Sequence, residues 1–329
     1  MLSILGSVLL ATCGIAAAAA WYMLWVPGKR YHGPLPAMTA EERTLAESLR
    51  RHVTAVASLP HNTYHYDALV GAAGHIEAEL ARAGYAIVRQ EYVADGKRVW
   101  NIEATVEPKL PERPLPSIVI GAHYDSAGDA PGANDNGSAV AALLEIARAL
   151  RPTWSPRRKI RLVFFVNEEP PYFRTDLMGS RRYARMLVDR GEQVRGMIAL
   201  EMLGSFSDAA GSQKYPPPFH LFFPGVGNFI AFVAMPGSRA WLHAAIDSFR
   251  SHTHFPTIGG VAPGSIPGID WSDHASFARL DMPALMVTDT ALFRYPHYHL
   301  PSDTPDKIDY DRLARITKGL ERTIQDLTK

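Results

Sequence analysis

Apolar residues along this chain fall into two kinds of run. Over residues 39–56 and 67–83 they recur every three or four positions, the spacing of one face of a helix. Thr39 followed three residues later by Glu42 reads as a capping box at the start of the first run, and Gly84 ends the second. Shorter runs rich in Val, Ile and Leu then predict strands at 86–93, 99–106, 117–121, 160–166, 196–200 and 284–288. Helical patterns at 137–150, 179–190, 238–250 and 309–327 separate several of them. Strands alternating with helices imply an α/β fold: a three-layer α/β/α sandwich around a central, mostly parallel mixed sheet, with the first two strands forming an antiparallel edge hairpin about Asp95-Gly96. Residues 205–232, with Pro216-Pro217-Pro218 and many aromatics, follow no regular pattern and read as a long loop or a wall beside a cleft.

The first residues follow a different pattern. Residues 2–26 carry no charged side chain, and as a helix at ~1.5 Å per residue they span ~37 Å against a ~30 Å hydrocarbon layer. An alanine run at 16–20, then Trp21, Tyr22 and Trp25, then Pro27-Gly28-Lys29-Arg30, look like a membrane exit with its aromatic belt. The expected plan is a transmembrane anchor or signal segment over 1–27, a Pro/Gly-rich linker over 28–38 and a catalytic domain over 39–329. Lys29 and Arg30 favour a cytoplasmic exit, yet long domains translocate largely regardless of charge. The expectation is therefore a membrane-anchored protein with an extracytoplasmic catalytic domain, in contact with the membrane through its N-terminal helix.

Composition narrows the chemistry. Thirty-four Lys and Arg against 33 Asp and Glu leave a net charge of +1 with the signs interleaved, so no basic face exists to track a phosphate backbone and nucleic acid is not a partner. With 47% hydrophobic residues the chain has ample material for a core. The single cysteine, Cys13, makes no internal disulfide and no thiolate cluster, so any metal must be held by His, Asp and Glu.

Those residue types stand just beyond the ends of the predicted strands, where open α/β sheets put their sites. The strand at 117–121 runs into Ala122-His123-Tyr124-Asp125, and Gly132-Ala133-Asn134-Asp135-Asn136-Gly137 precedes a helix. The strand at 160–166 runs into Asn167-Glu168-Glu169, and the one at 196–200 into Glu201. The last predicted strand leads to Tyr298-His299-Leu300-Pro301-Ser302-Asp303-Thr304. A lone His or a pair of Glu residues is ordinarily structural or solvated, but apolar strands that end repeatedly in acid or His are not. Carboxylates gathered at one sheet edge repel each other, and metal ions are the simplest agents that neutralise them. No HExxH, GxSxG or phosphate loop is present, which leaves a metal site of scattered ligands.

In order and spacing these residues resemble the co-catalytic zinc exopeptidases, the family of bacterial leucyl aminopeptidase, the Streptomyces-type aminopeptidase, glutamate carboxypeptidase and, more distantly, glutaminyl cyclase. His123-Tyr124-Asp125 looks like that family's H-x-D, residues 132–138 like its G-A-N-D-x-G-S turn, and Glu168-Glu169 like its E-E pair. Leu200-Glu201-Met202 resembles the segment with the next ligand, Ser272-Asp273-His274 the S-D-H motif, and 299–304 the final H-x-x-x-D-T. The resemblance implies an aminopeptidase with two Zn²⁺, or Co²⁺ or Mn²⁺ in their place, bridged by Asp135. His123 and Glu201 would complete one ligand set and Glu169 and His299 the other, or the pairs exchanged. A bridging hydroxide would be the nucleophile and Glu168 its general base. Asp125 would orient the His123 ring, and Asp273 and Asp303 would support the ligands or the substrate. Two Zn²⁺ against three carboxylates and a hydroxide sum to zero.

Glu201 departs from an Asp common in the family, and Asn136 stands where a second Asp is frequent; neither removes a ligand. His274 reads as structural, and His297, two residues from His299, as loop surface or substrate rim. Tyr172, Phe173, Phe222, Phe223, Phe229 and Phe232 are candidates for a substrate wall, with 215–232 the place to look. The substrate is a peptide or another small amide. Competing readings are a glutaminyl-cyclase-like transferase and a carboxypeptidase, for whose cationic pocket Arg174, Arg181, Arg182 and Arg294 are available. From another class comes a non-catalytic membrane ectodomain.

Overall fold

The Thr39 hydroxyl accepts the Glu42 amide at 3.1 Å while the Glu42 carboxylate takes the Thr39 amide at 2.7 Å, so the capping box starts a helix where the pattern places it. The computed structural model describes residues 2–108, 115–151 and 156–329, with side chains from residue 12 onward. Its elements are α1 (Leu2–Leu24), α2 (Ala40–Val56), α3 (Tyr66–Arg82), β1 (Ile87–Ala94), β2 (Lys97–Val106), β3 (Ser117–His123), α4 (Ala139–Ala149), β4 (Ile160–Phe165), α5 (Gly179–Asp189) and β5 (Val194–Glu201). After them come β6 (Ile230–Ala234), α6 (Arg239–His252), β7 (Thr257–Val261), α7 (His274–Ala278), β8 (Ala284–Thr288) and α8 (Tyr310–Leu327).

Among the described residues the strands form one mixed eight-stranded sheet in the order β1-β2-β4-β3-β5-β8-β6-β7. Its centre, β4-β3-β5-β8, is parallel, and β1-β2, the expected hairpin, is antiparallel with Ala94 opposite Lys97. Alternation along each central strand separates two cores. Ile118, Ile120, Leu162, Phe164, Ile198 and Leu200 face the helices α2, α4 and α8, whereas Val119, Val163, Phe165, Met197 and Ala199 face α5 and α7. Because both faces are covered, these strands are mostly apolar, with Arg161 of β4 a buried exception that pairs with Glu103 of β2.

Two findings depart from the expected elements. The irregular region contains strand β6, and β7 was not signalled at all; with Gly259 and Gly260 in a five-residue strand, it lacks the β-branched run that marks the others. The second departure is the N-terminal segment. It is helical, but among the described residues no helix is long and apolar enough to cross a membrane. The aromatics taken for a membrane belt lie against α6. The Arg239 guanidinium sits 4.6 Å from the Tyr22 ring and donates to the Tyr22 carbonyl at 2.9 Å, and Trp25 packs edge-on to His243. The membrane anchor, the membrane contact and the extracytoplasmic localisation inferred from them are therefore withdrawn. The side chains of residues 2–11, which belonged to that reading, lie outside the described residues.

One buried charge ties the helical layer together. Glu145 of α4 accepts Ser48 of α2 at 2.5 Å and Arg148 at 2.6 Å, and lies 3.1 Å from His52 Nε2. Burial alone would raise this carboxyl, but its bonds to His52, Ser48 and Arg148 outweigh burial and lower it from 4.5 to about 2. A depressed folded-state value stabilises the fold above pH 4.5, and that contribution is lost as the pH falls towards 2. Glu145→Gln is expected to cost about 1–3 kcal/mol at pH 7, where it leaves buried donors short of an acceptor. In urea unfolding of both chains, the gap between them should narrow from pH 5 to pH 3.

Candidate metal centre

Four adjacent strands deliver the polar residues to one edge of the sheet. His123 is the last residue of β3 and pairs with Phe165, the last of β4, after which come Glu168 and Glu169; Glu201 ends β5 opposite Thr288, the last of β8. The turn 132–138 brings Asp135 into the same space, and the loop after β8 brings His299. Gly132 makes that turn possible, with φ of +71° and a backbone so close that a Cβ would meet the Asp135 carbonyl oxygen at 2.5 Å.

The two oxygens of Asp135 face different partners. Oδ1 lies 3.4 Å from His123 Nε2, which is 3.6 Å from Glu201 Oε2. Oδ2 lies 3.1 Å from His299 Nε2, which is 3.1 Å from Glu169 Oε2. Two donors on a tetrahedral zinc at ~2.0–2.1 Å are ~3.3 Å apart, so both trios have the spacing that ion needs. His123 Nε2 and Glu169 Oε1 are buried without a hydrogen-bond partner, and His123–Asp135–Glu201 and Asp135–Glu169–His299 are each compact enough to hold an ion. The donors, imidazole and carboxylate, suit zinc. Of the two ligand divisions the sequence leaves open, the distances favour His123 with Glu201 and His299 with Glu169.

Backbone amides gripped by carboxylates hold these groups in place. The Asp125 carboxylate accepts the amides of Glu168 and Glu169 at 3.0 and 3.1 Å, and the Asp303 carboxylate accepts those of Asn134 and Asp135 at 2.8 and 3.1 Å. Asp125 thus acts mainly on the Glu168-Glu169 turn. The His123 Nδ1 contact at hydrogen-bond distance, 3.1 Å, is the Asp125 main-chain carbonyl, and the carboxylate stands 3.7 Å away. Asn136 bridges the end of β5, donating to the Leu200 carbonyl and accepting the Met202 amide, both at 2.9 Å. Ser272 donates to Glu201 at 2.6 Å.

Charge dominates the electrostatics. Burial opposes a proton on His123, but Glu201 and Glu168 hold its value well above the ordinary one. His299, also penalised by burial, is raised to about 10 by Asp135 and Glu169. Burial and the Asp135 charge push Glu169 up to about 8. Glu168 is raised well above its usual range by burial, with Glu201, Glu169 and Asp273 reinforcing the shift and His123 opposing it. Asp135 goes the other way: burial would raise it, but the two imidazoles facing its oxygens outweigh burial. Protons gather where cations would sit.

The remaining candidates separate. Asp273 is fully buried beside the centre with both oxygens unpartnered and makes no cap to α7; burial pushes it up to about 7. His274 Nε2 lies 2.8 Å from the Ile269 carbonyl, outside the cluster, as a structural residue would. His297 contacts Ser302 at 2.9 Å. Sequence reasoning overlooked Asp289, which accepts Asn134 and the Ser205 amide at 2.9 and 2.8 Å. Its signal was the one used elsewhere, an acid directly after an apolar strand. Also overlooked was Tyr298, stacked on the His299 ring at 3.8 Å.

Beside Glu201 and Tyr298 opens an apolar cavity walled by Tyr215, Phe219, Phe223, Ile258, Met286 and Phe293, with Leu24 of α1 at its border. Of the candidate wall residues in 215–232, Phe223 and Phe232 line this cavity and Phe222 and Phe229 do not. Tyr172 and Phe173 lie elsewhere, Tyr172 bonded to Thr63 and Asp95. None of Arg174, Arg181, Arg182 and Arg294 lines this cavity. Arg174 pairs with Asp270 at 2.5 Å, Arg181 with Asp176 at 3.3 Å, and Arg294 donates to the Phe229 carbonyl at 2.9 Å.

The family model described as Peptidase family M28 matches residues 101–324. The Escherichia coli (strain K12) protein described as uncharacterized protein YfbL is 38% identical over 270 residues, 79% of this chain and 81% of that protein. A probable leucine aminopeptidase 1 of Trichophyton verrucosum is 26% identical, over 86% of this chain and 74% of that one. Among solved structures, the Legionella pneumophila LapA aminopeptidase superposes with a TM-score of 0.69 at 18% identity, covering 90% of this chain and 77% of its own. A Bacillus subtilis zinc aminopeptidase gives 0.56 at 21%, over 71% and 52%, and the Fimbriiglobus ruber glutaminyl cyclase gives 0.64 at 17%, over 91% and 99%. At these identities the superpositions speak for the fold.

Two outcomes follow from the amide grips and the proton balance. Asp303→Asn, which replaces one accepting oxygen with a donor facing an amide, is expected to weaken zinc binding ~10–100-fold in competition with a chromophoric chelator, while the far-UV spectrum stays unchanged. Zinc added at pH 7 should release protons, since the raised imidazoles and carboxyls must lose theirs to bind. Affinity should therefore fall as the pH is lowered.

Proposed function

Since the chain belongs to peptidase family M28, we propose that it is a metallo-aminopeptidase that removes N-terminal residues from peptides with two zinc ions. The observation that carries this reading is Asp135, whose two oxygens are each 3.1–3.4 Å from the imidazole of a different His–Glu pair. In this reading residues 39–329 are the catalytic unit. His123, Asp135 and Glu201 hold one ion and Asp135, Glu169 and His299 the other. Bound there, zinc supplies Lewis-acid polarisation of the scissile carbonyl and lowers the pKa of water to ~7.

The chain's own residues do the rest. Glu168 Oε2 stands 3.8 Å from His123 Nε2, and this reading keeps it as the base beside the ions. Its raised proton affinity suits a group that takes a proton from the attacking water and returns it to the leaving amine as the C–N bond breaks. Asp125 fixes this base by gripping the amides of Glu168 and Glu169, one on each side of the Glu168 Cα. The apolar cavity takes the side chain of the N-terminal residue, and among the described residues no Arg or Lys lines it, which weighs against a carboxypeptidase. A glutaminyl-cyclase-like transferase is the second reading, supported by the likeness of fold.

Glu168→Gln is expected to lower kcat on aminoacyl-arylamides by ~10²–10⁴-fold while the zinc held at the strand-end centre, read by elemental analysis against an Asp135→Asn chain, stays at two. One ion at that centre, with cyclisation of N-terminal glutamine, would instead select the transferase, and no ion there with no turnover would select a non-catalytic protein. On the same panel, leucyl and phenylalanyl substrates should exceed glycyl ones in kcat/KM by ~10–200-fold, the discrimination an apolar pocket gives. Equal rates across the panel would remove the cavity from the account.

A further inference from the structure

A second set of donors converges outside the strand-end centre, between α2 and α3. His52 Nδ1 and His75 Nε2 are 3.1 Å apart, with ring centroids 5.4 Å apart and planes inclined at 56°. Glu79 follows His75 by one helical turn, on the same face of α3, and ligand atoms from all three side chains lie within 4.8 Å of one another. Nitrogens held by a tetrahedral zinc at ~2.0–2.1 Å are ~3.3 Å apart, close to the separation found here.

The far side of His52 is fixed as a ligand's would be. Its Nε2 faces the buried Glu145 at 3.1 Å. With Nε2–H donating to that carboxylate, the Nδ1 lone pair is directed at His75, the way metal-binding imidazoles are oriented. A hydrogen bond between the two rings would account for one shared proton but gives Glu79, which also pairs with Arg82, no part in the contact.

We propose that His52, His75 and Glu79 bind a divalent ion of the zinc type that clips α2 to α3, with water completing its coordination where His75 and Glu79 are only half-buried. Two imidazoles and a carboxylate suit zinc over magnesium or calcium. The clip spans a loop that touches the catalytic edge. His61 donates its amide to Ser126 Oγ at 2.9 Å, and Asn62 donates to the Ser126 carbonyl at 2.9 Å, one residue from Asp125. The inference is independent of the reading given for the strand-end centre.

Zinc itself is the probe, on the full chain. Wild type is expected to hold one zinc more per chain than His75→Ala and Glu79→Gln, with arylamide hydrolysis equal in all three. Excess zinc should raise the Tm of wild type by several degrees beyond its effect on either variant. In an Asp135→Asn chain, whose strand-end centre is crippled, the extra zinc should persist and again be lost on His75→Ala, so a failure of either site is read separately. Should His75→Ala not fold, Glu79→Gln, at a half-exposed position, carries the comparison. Equal zinc content in wild type and the variants overturns the proposal.

Discussion

Carboxylates brought together out of water repel one another, and most of this architecture serves to hold them there. Asp135, Glu168, Glu169, Glu201 and Asp273 are all buried within one small volume. A flexible chain would relieve that repulsion by swinging side chains into solvent. Here relief is blocked at the backbone, because Asp125 and Asp303 each grip two consecutive amides and Asn134, Asn136 and Ser138 lace the turn to the segment after β5. Each grip also satisfies amides that would otherwise be buried without partners. The groups stay poised against their own repulsion, and bound metal is the natural resolution.

The parallel centre of the sheet explains why so few strands suffice. Adjacent parallel strands end at the same edge, so β4, β3, β5 and β8 present their terminal residues side by side. Two apolar cores clamp the strands along their length, which leaves only the ends for chemistry. Rigidity beneath and polarity above are thus consequences of one topology.

Much of this was legible in the amino-acid order. The long amphipathic helices, the hairpin at Asp95-Gly96 and each strand that ends in acid or His carry local signals, and the metal-ligating types are few enough to stand out. The polar set His123, Asp135, Glu169, Glu201 and His299 converges as the motif pattern implies. Less legible was whatever depends on distant chain. Strand β7 is defined by pairing with β6, and its glycines admit Ile246 and the Met23 carbonyl where a side chain would collide. That Asp125 serves two amides more than the His123 ring is a matter of direction, which spacing does not encode. The N-terminal aromatics illustrate the same limit, since Trp25 beside Arg30 reads alike at a bilayer surface and against a cationic helix such as α6.

The docking of α1 has a consequence for handling this protein. Leu24 borders the cavity proposed to receive the substrate's side chain, and the segment after it is pinned by Arg250 to the carbonyls of Pro27 and Gly28. The wall of that cavity therefore draws on residue 24 as well as on the strand ends. A fusion or truncation that displaces Leu24 reshapes this wall while the strand-end carboxylates stay where they are.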